Sequence, residues 1–413
     1  MIRNKPISVL AAGPLPFLSN GAKTFNFGIS VLNACVLPGL AELGHRVRAI
    51  AEAPSARGSA KWCGLDWEVP NLTVEWFALE YRSGSTPPPA SWLAAARART
   101  KPLFERLVEQ ERPDVVLIGR EDLTYHFVDL CLQAGLPSIL IAHGVPTAAL
   151  LDGIYPEQAT QEFVDCLRKI NVIVTVANHL AEVLKTFGLQ RVHTIPNVID
   201  PRRFCPQPKS RSLLEDLRLP ADHTVVSYIS VLNRGKRSFD VVESADIVLR
   251  SDPHVTYVVT GAGPLRREME ALTRSKGIAA SFRFVGEIAH ERVPEYLNLA
   301  DIVLATSERE GYPFIYREAQ ACGRTLLASD IAASREMIAD GETGVLFRTG
   351  DVEDLAAKTL ALAHAPGLRR QIGDNARAVA AQDDPERWVK SYAELLSQTV
   401  AAHSMPTRIA GGA

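Results

Sequence analysis

The chain has 413 residues, of which 46% are hydrophobic and 22% charged, with a formal net charge of −2 at pH 7. That composition excludes a disordered chain, and the near-neutral balance excludes the strongly basic surface that tracks nucleic-acid phosphates. The length is too great for one ordinary core and suits two domains of about 200 residues each.

The start, "MIRNKPISVLAAGPLPF", has too short an apolar run, broken by Pro14 and Pro16, to read as a secretory signal. Within it, Ile7 to Ala11 reads as a first strand, followed by a loop in which Gly21 permits close backbone approach. The stretch from Thr24 to Ala41 is uncharged over a membrane-like length, but Asn26, Ser30, Asn33 and the Pro38-Gly39 break make it a buried domain helix. Strands follow at Arg46 to Ala51 and Leu72 to Leu79, with "STPPPAS" as a surface loop. "SWLAAARARTKPLFERL" is a basic, partly amphipathic helix, read as solvated in preference to membrane-bound. Three further strands run from Asp114 to Gly119, Ser138 to Gly144 and Val172 to Ala177. "IPNVIDPRRFCPQPKS", with four prolines and no clear period, is the break between domains. Beyond it come strands at Thr224 to Leu232, Val255 to Gly261, Ser281 to Gly286, Asp301 to Ser307 and Thr325 to Ser329, and a last helix around Pro385 to Val400. The cysteines Cys35, Cys63, Cys131, Cys166, Cys205 and Cys322 are scattered, with no CxxC spacing. A disulfide framework or zinc site is not expected, and a reducing cytoplasm fits best.

Short β-branched runs alternating with helices, several of them continuously apolar, imply α/β architecture with parallel sheets covered on both faces. The expectation is two doubly wound Rossmann-like domains facing a cleft: 1–200, 201–384, and a segment 385–413 whose helix returns to the N-terminal domain. Ligands bind at the carboxyl ends of strands in such sheets, so the loops just after strands carry the chemistry. One loop stands out. "SEREGYPFIYREAQACG" sets Glu310 before a Gly-x-Pro turn and Glu318 on the helix beyond. Pro313 suits the first helical position, and the amides of roughly Gly311 to Ile315 make a natural anion site. Ala319, Ala321 and Gly323 keep that helix slim, so that backbone or ligand can come close.

The string "S-x-x-E-G-x-P-x-x-x-x-E-A-x-A-x-G" resembles the nucleotide-sugar site of retaining glycosyltransferases of family 4, which have the GT-B fold. "VVTGAGPLRREME", "FRFVGEIAHERVPEYLNLADIVLATS", "ASREMIADGETGVLF" and "VANHLAEVLKTFGLQRVHTIPNVIDPRRFCP" are similar to further stretches of that family. The resemblance implies a retaining transfer of sugar from a nucleotide donor, UDP-sugar favoured and GDP-sugar next, to an acceptor hydroxyl on a sugar, small metabolite or lipid-linked molecule. It implies Glu318 on the ribose hydroxyls, Glu310 on the donor sugar, and the backbone of Gly311, Tyr312, Pro313 and Phe314 near sugar or phosphate oxygens. Arg234, Lys236 and, third, Arg237 would hold the diphosphate, with Gly261 and Gly263 in the adjoining turn and Gly21 near donor phosphate and acceptor. His143, ending a first-domain strand, would face the reacting sugar together with Glu310.

The basic loop departs from the family: "RSFD" puts Arg237 on its usual Lys position and leaves Leu232 near its usual Arg position. Val198, Thr325 and Ala332-Ala333 stand where Gly, Pro and Gly-Gly are common, which bears on donor preference. No D-x-D occurs, so neither a metal nor another cofactor is expected beyond the nucleotide sugar itself. "GAGPLR" lacks the third glycine of a dinucleotide fingerprint. Two other readings stay open: a GT-B phosphorylase or epimerase, and a catalytically silent GT-B subunit that binds a partner.

Overall fold

A computed structural model describes residues 6–12, 17–19, 22–24, 28–53, 69–78 and 90–404. The chain divides into two compact units, Met1–Asn197 with Glu386–Ala413, and Val198–Pro385. The strands of the first are β1 (Ser8–Ala12), β2 (Phe17–Ser19), β3 (Ala22–Thr24), β4 (Arg46–Ala53), β5 (Leu72–Ala78), β6 (Val115–Ile118), β7 (Ser138–Ala142), β8 (Val172–Thr175) and β9 (Val192–Thr194). The second holds β10 (Thr224–Ile229), β11 (Val255–Thr260), β12 (Phe282–Gly286), β13 (Ile302–Ala305), β14 (Thr325–Ser329) and β15 (Val345–Phe347).

The first unit has a sheet in the order β5-β4-β1-β6-β7-β8-β9, parallel at every pairing, and β2 and β3 pair as an antiparallel ribbon. The second sheet runs β12-β11-β10-β13-β14-β15, again all parallel. Continuous apolar strands follow from burial on both faces. In β10, Val226 and Tyr228 feed one core with Tyr257, Val259 and Met269, while Val225, on the opposite face, feeds another with Val258, Tyr296 and Leu299. Period-2 side chains thus bind two helical layers to one strand.

The uncharged stretch after β3 forms the helix Gly28–Glu42. Among the described residues no helix is long and apolar enough to cross a membrane. The Pro38-Gly39 break has a packing reason: a Cβ on Gly39 would lie 2.7 Å from Val389 Cγ2 on the helix Pro385–Ser404. The C-terminal helix therefore seats directly on backbone.

In each sheet the chain leaves one strand in both directions. The switch points lie between β1 and β6 in the first sheet, and between β10 and β13 in the second. Four short strands, β2, β3, β9 and β15, are additions to the sequence reading. Each has three residues, too few to show a period.

Candidate active site

The loops after β10 and β13 meet at the second switch point. Glu308 N donates to Gly235 O at 3.1 Å, and the Lys236 carbonyl accepts from Thr306 Oγ at 2.7 Å and from the buried Tyr228 hydroxyl at 3.1 Å. Asn233 Oδ1 accepts from Lys236 N at 2.9 Å, and Ser238 Oγ bridges Asn233 and Tyr228. The basic loop is therefore clamped by four polar side chains that the motif reading did not single out. Tyr228 is the one with a sequence signal, a hydroxyl inside an otherwise apolar strand.

This clamp aims the Lys236 ammonium at Glu310, with which it forms a close ion pair; Glu310 also accepts from Ser307 Oγ at 2.7 Å. The Glu310 side chain is 11% exposed and that of Lys236 28%. Arg234 is exposed, and among the described residues its guanidinium makes no hydrogen bond or ion pair. Arg237 is turned elsewhere: its Nε donates to Asp240 Oδ2 at 2.7 Å, and its guanidinium lies against the backbone of Gly350. With φ +48 it stands at the N-cap of the helix Ser238–Ser251.

Beyond β13, Pro313 is the cap and the helix Phe314–Ala321 starts one residue later than the sequence implied. Its first amides, Phe314 and Ile315, have no acceptor within the helix, as at any helix start. Tyr312 is buried, and its hydroxyl pKa is raised by burial. The slim end of the helix serves backbone contact: a Cβ on Gly373 would lie 2.2 Å from Gly323 O, so the helix Pro366–Ala380 rests on that turn.

Glu318 is 4% exposed, and a buried carboxylate needs partners. Its Oε1 accepts from His290 Nε2 at 3.0 Å. Arg203 Nη2 lies 2.9 Å from His290 Nδ1 and 2.6 Å from His290 O. Neither residue emerged from the sequence reading. The available signal was a histidine in a loop just after a strand.

Gly261 and Gly263 have φ of +128 and +159. Cβ atoms there would lie 1.9 Å from Ser230 O and 2.2 Å from Leu232 O. Their glycines let the loop after β11 lie on the loop after β10, where Leu232 N bonds Ala262 O and Leu265 N bonds Leu232 O. They shape the site's floor.

In the first unit, His143 follows β7 and its Nε2–H donates to Gly119 O at 3.0 Å, leaving Nδ1 as an acceptor. Burial, with Arg120 near, pushes the imidazole down to about 3, so it is neutral at pH 7. The next residue, Gly144 at φ +113, donates its N–H to Glu121 Oε1 at 2.8 Å. Glu121 is 1% exposed, and burial raises its carboxyl to about 7. Among the described residues its Oε2 and both nitrogens of buried His126 have no hydrogen-bond partner. The sequence-derived candidate Gly21 lies outside the described residues.

Residues 210–379 match the family described as Glycosyl transferases group 1, and residues 28–203 match Glycosyltransferase Family 4. The chain belongs to the family 4 glycosyltransferases. D-inositol 3-phosphate glycosyltransferase 2 of Catenulispora acidiphila is 27% identical over 285 residues, covering 64% of this chain and 66% of that protein. N-acetyl-alpha-D-glucosaminyl L-malate synthase of Bacillus anthracis is 29% identical over 203 residues, covering 49% and 52%. This glycosyltransferase chain thus spans less than two thirds of the length of these relatives. The crystal structure of Anabaena HepE in complex with UDP and glucose is similar at a TM-score of 0.75 and 18% identity, covering 95% of this chain and all of that one. The fold is GT-B: two parallel-sheet α/β domains.

Proposed function

We propose that this family 4 glycosyltransferase moves a sugar from a nucleotide-diphosphate sugar to an acceptor hydroxyl with retention, taking a UDP-sugar before a GDP-sugar. The observation that carries the reading is the Lys236–Glu310 pair at the β10/β13 switch point, with Glu318 buried on the adjoining helix. A cation and a carboxylate held together there suit a ligand that brings both phosphate and hydroxyl groups. On arrival of the donor, Lys236 exchanges Glu310 for the diphosphate, and Glu310 turns to the sugar hydroxyls. Arg234 adds a second cation, and the amides at Phe314 and Ile315 a third source of positive charge. That HepE was crystallised with UDP and glucose supports a uridine donor.

In this reading the acceptor oxygen bonds to the anomeric carbon as the bond from that carbon to the diphosphate oxygen breaks. The acceptor proton passes to the departing phosphate oxygen on the same face, so no carboxylate acts as base, unlike the paired carboxylates of glycosidases. The protein's work is orientation and stabilisation of the leaving charge by fixed cations, with no metal required. In the first unit, His143 is an imidazole neutral at pH 7, with Nδ1 able to accept from a hydroxyl.

The test is thermal shift with UDP, GDP, ADP and dTDP, each with and without EDTA, on wild type and Glu318→Ala. A diphosphate at about 100 times its Kd stabilises by about 2.7 kcal/mol. One nucleotide should shift the wild type, EDTA should not matter, and Glu318→Ala should lose most of the effect. No shift with any diphosphate overturns the reading. Retention is checked separately by the anomeric configuration of the product.

A further inference from the structure

His290 holds Glu318 from the side opposite the helix, and three segments distant in sequence build that contact. Arg203 comes from the chain just after the domain break, His290 from the turn after β12, and Glu318 from the helix Phe314–Ala321. Arg203 is a donor only, so with its Nη2 at 2.9 Å the His290 Nδ1 must hold a lone pair. The ring proton then sits on Nε2, where it points at Glu318 Oε1. Arg203 is itself fixed by a second bond, to His290 O, and by the face of buried Phe204, 5.1 Å from the guanidinium carbon to the ring centre.

We propose that His290 is a positioning residue, which commits one oxygen of Glu318 to the protein so that the other is presented to the ribose hydroxyls of the donor. This rests on the assignment of Glu318 to the ribose made above. The choice of residue has a physical logic. Arginine placed directly on Glu318 would favour a two-pronged contact that occupies both carboxylate oxygens. A neutral imidazole offers one N–H and takes one oxygen. Arg203 sets the tautomer of His290 from behind without touching the carboxylate's second oxygen, and the side chains of His290 and Glu318 are 14% and 5% exposed, so solvent does little to replace the contact.

The experiment compares the Kd of UDP with that of 2′-deoxy-UDP, and of GDP with 2′-deoxy-GDP, by calorimetry. The proteins are wild type, Glu318→Ala, His290→Phe and His290→Gln. A hydroxyl bonded to a held carboxylate should make wild type prefer the ribose form by roughly 10- to 100-fold. His290→Phe keeps ring volume and loses the N–H; its preference should fall to about threefold or less, with the 2′-deoxy Kd little changed. His290→Gln restores a donor and should recover most of the preference. If His290→Phe does not fold, His290→Asn, whose amide is too short to reach Oε1, replaces it with the same expected fall. A wild-type preference that survives in His290→Phe but vanishes in Glu318→Ala overturns the role of His290 while the ribose assignment stands. No preference in wild type, an undiminished preference in Glu318→Ala, or no binding of either nucleotide overturns the ribose assignment, and this proposal with it.

Discussion

At the carboxyl ends of β10 and β13 charges stand in matched pairs, Lys236 with Glu310 and Arg237 with Asp240, while Glu318 takes an N–H from His290 in the turn after β12. At the carboxyl ends of β6 and β7 the polar groups are sunk: Arg120 and Asp122 form a buried ion pair beside His143 and Glu121. His143 is held neutral, and Glu121 is held near the midpoint of its titration at pH 7. Two sheets of similar construction thus differ in how deeply their polar groups are buried: Lys236 and Arg237 keep 28% and 31% of their side chains exposed, Arg120 only 7%. Ion pairs that can open suit a ligand arriving with its own charge. The buried, neutral His143 suits a hydroxyl, because an unpaired charge there would lack the solvation that water gives it.

The strongest way to break this contrast is to remove the cation. Lys236→Ala should lower kcat/KM by about 100- to 1000-fold, the usual cost of losing a fixed donor at developing charge. Initial rates with a UDP-sugar check it; a loss below tenfold would mean that another group carries the leaving charge. The rigidity of the same site is probed by Gly261→Ala. Its Cβ would meet Ser230 O at 1.9 Å with φ at +128, and the expected destabilisation is about 2 kcal/mol or more. Gly153→Ala, with φ +61 and open space around it, should cost only about 1 kcal/mol. Unfolding followed by circular dichroism compares them.

The first unit's contrast appears in pH dependence. Glu121 ionises near 4.5 when unfolded and near 7 when folded. The folded chain therefore holds the proton more tightly, and the stability this gives is lost as pH rises through 7. Between pH 6 and 8, wild type should lose about 1 kcal/mol that Glu121→Gln does not. His143 works in the opposite sense: lowered from 6.5 to about 3, it costs stability as pH falls below 6.5. All five tryptophans, Trp62, Trp67, Trp76, Trp92 and Trp388, belong to the first unit, so intrinsic fluorescence follows this effect there. Equal slopes for wild type and Glu121→Gln would remove Glu121 from the account.

The smallest effect separates neighbours in the basic loop. Arg237→Ala breaks a partly exposed pair with Asp240 and should cost under about 1 kcal/mol of stability. Activity should change by less than about threefold. Arg234→Ala should leave stability unchanged and raise the donor KM by about tenfold or more. Reversed results would exchange their roles.

Much of this protein was determined by its sequence alone. Apolar runs mark eleven strands because parallel strands buried on both faces have little choice of residue, as in β13 and β14. The Glu310-to-Gly323 string was legible because a strand, a turn and a helix start lie within one short stretch, so local rules place its groups. Tertiary structure decided what local rules could not reach. Lys236 and Arg237 are adjacent in sequence, yet one meets Glu310 and the other Asp240, since the choice depends on the loop after β13 lying beside them. His290 gains its meaning from Arg203 and Glu318, 87 and 28 residues away. Gly261 and Gly263, read from the sequence as part of the turn at the donor site, are required by carbonyls of the neighbouring loop. Hydrogen bonds and close contacts act over a few ångströms of space, and only the folded chain sets which residues come that near.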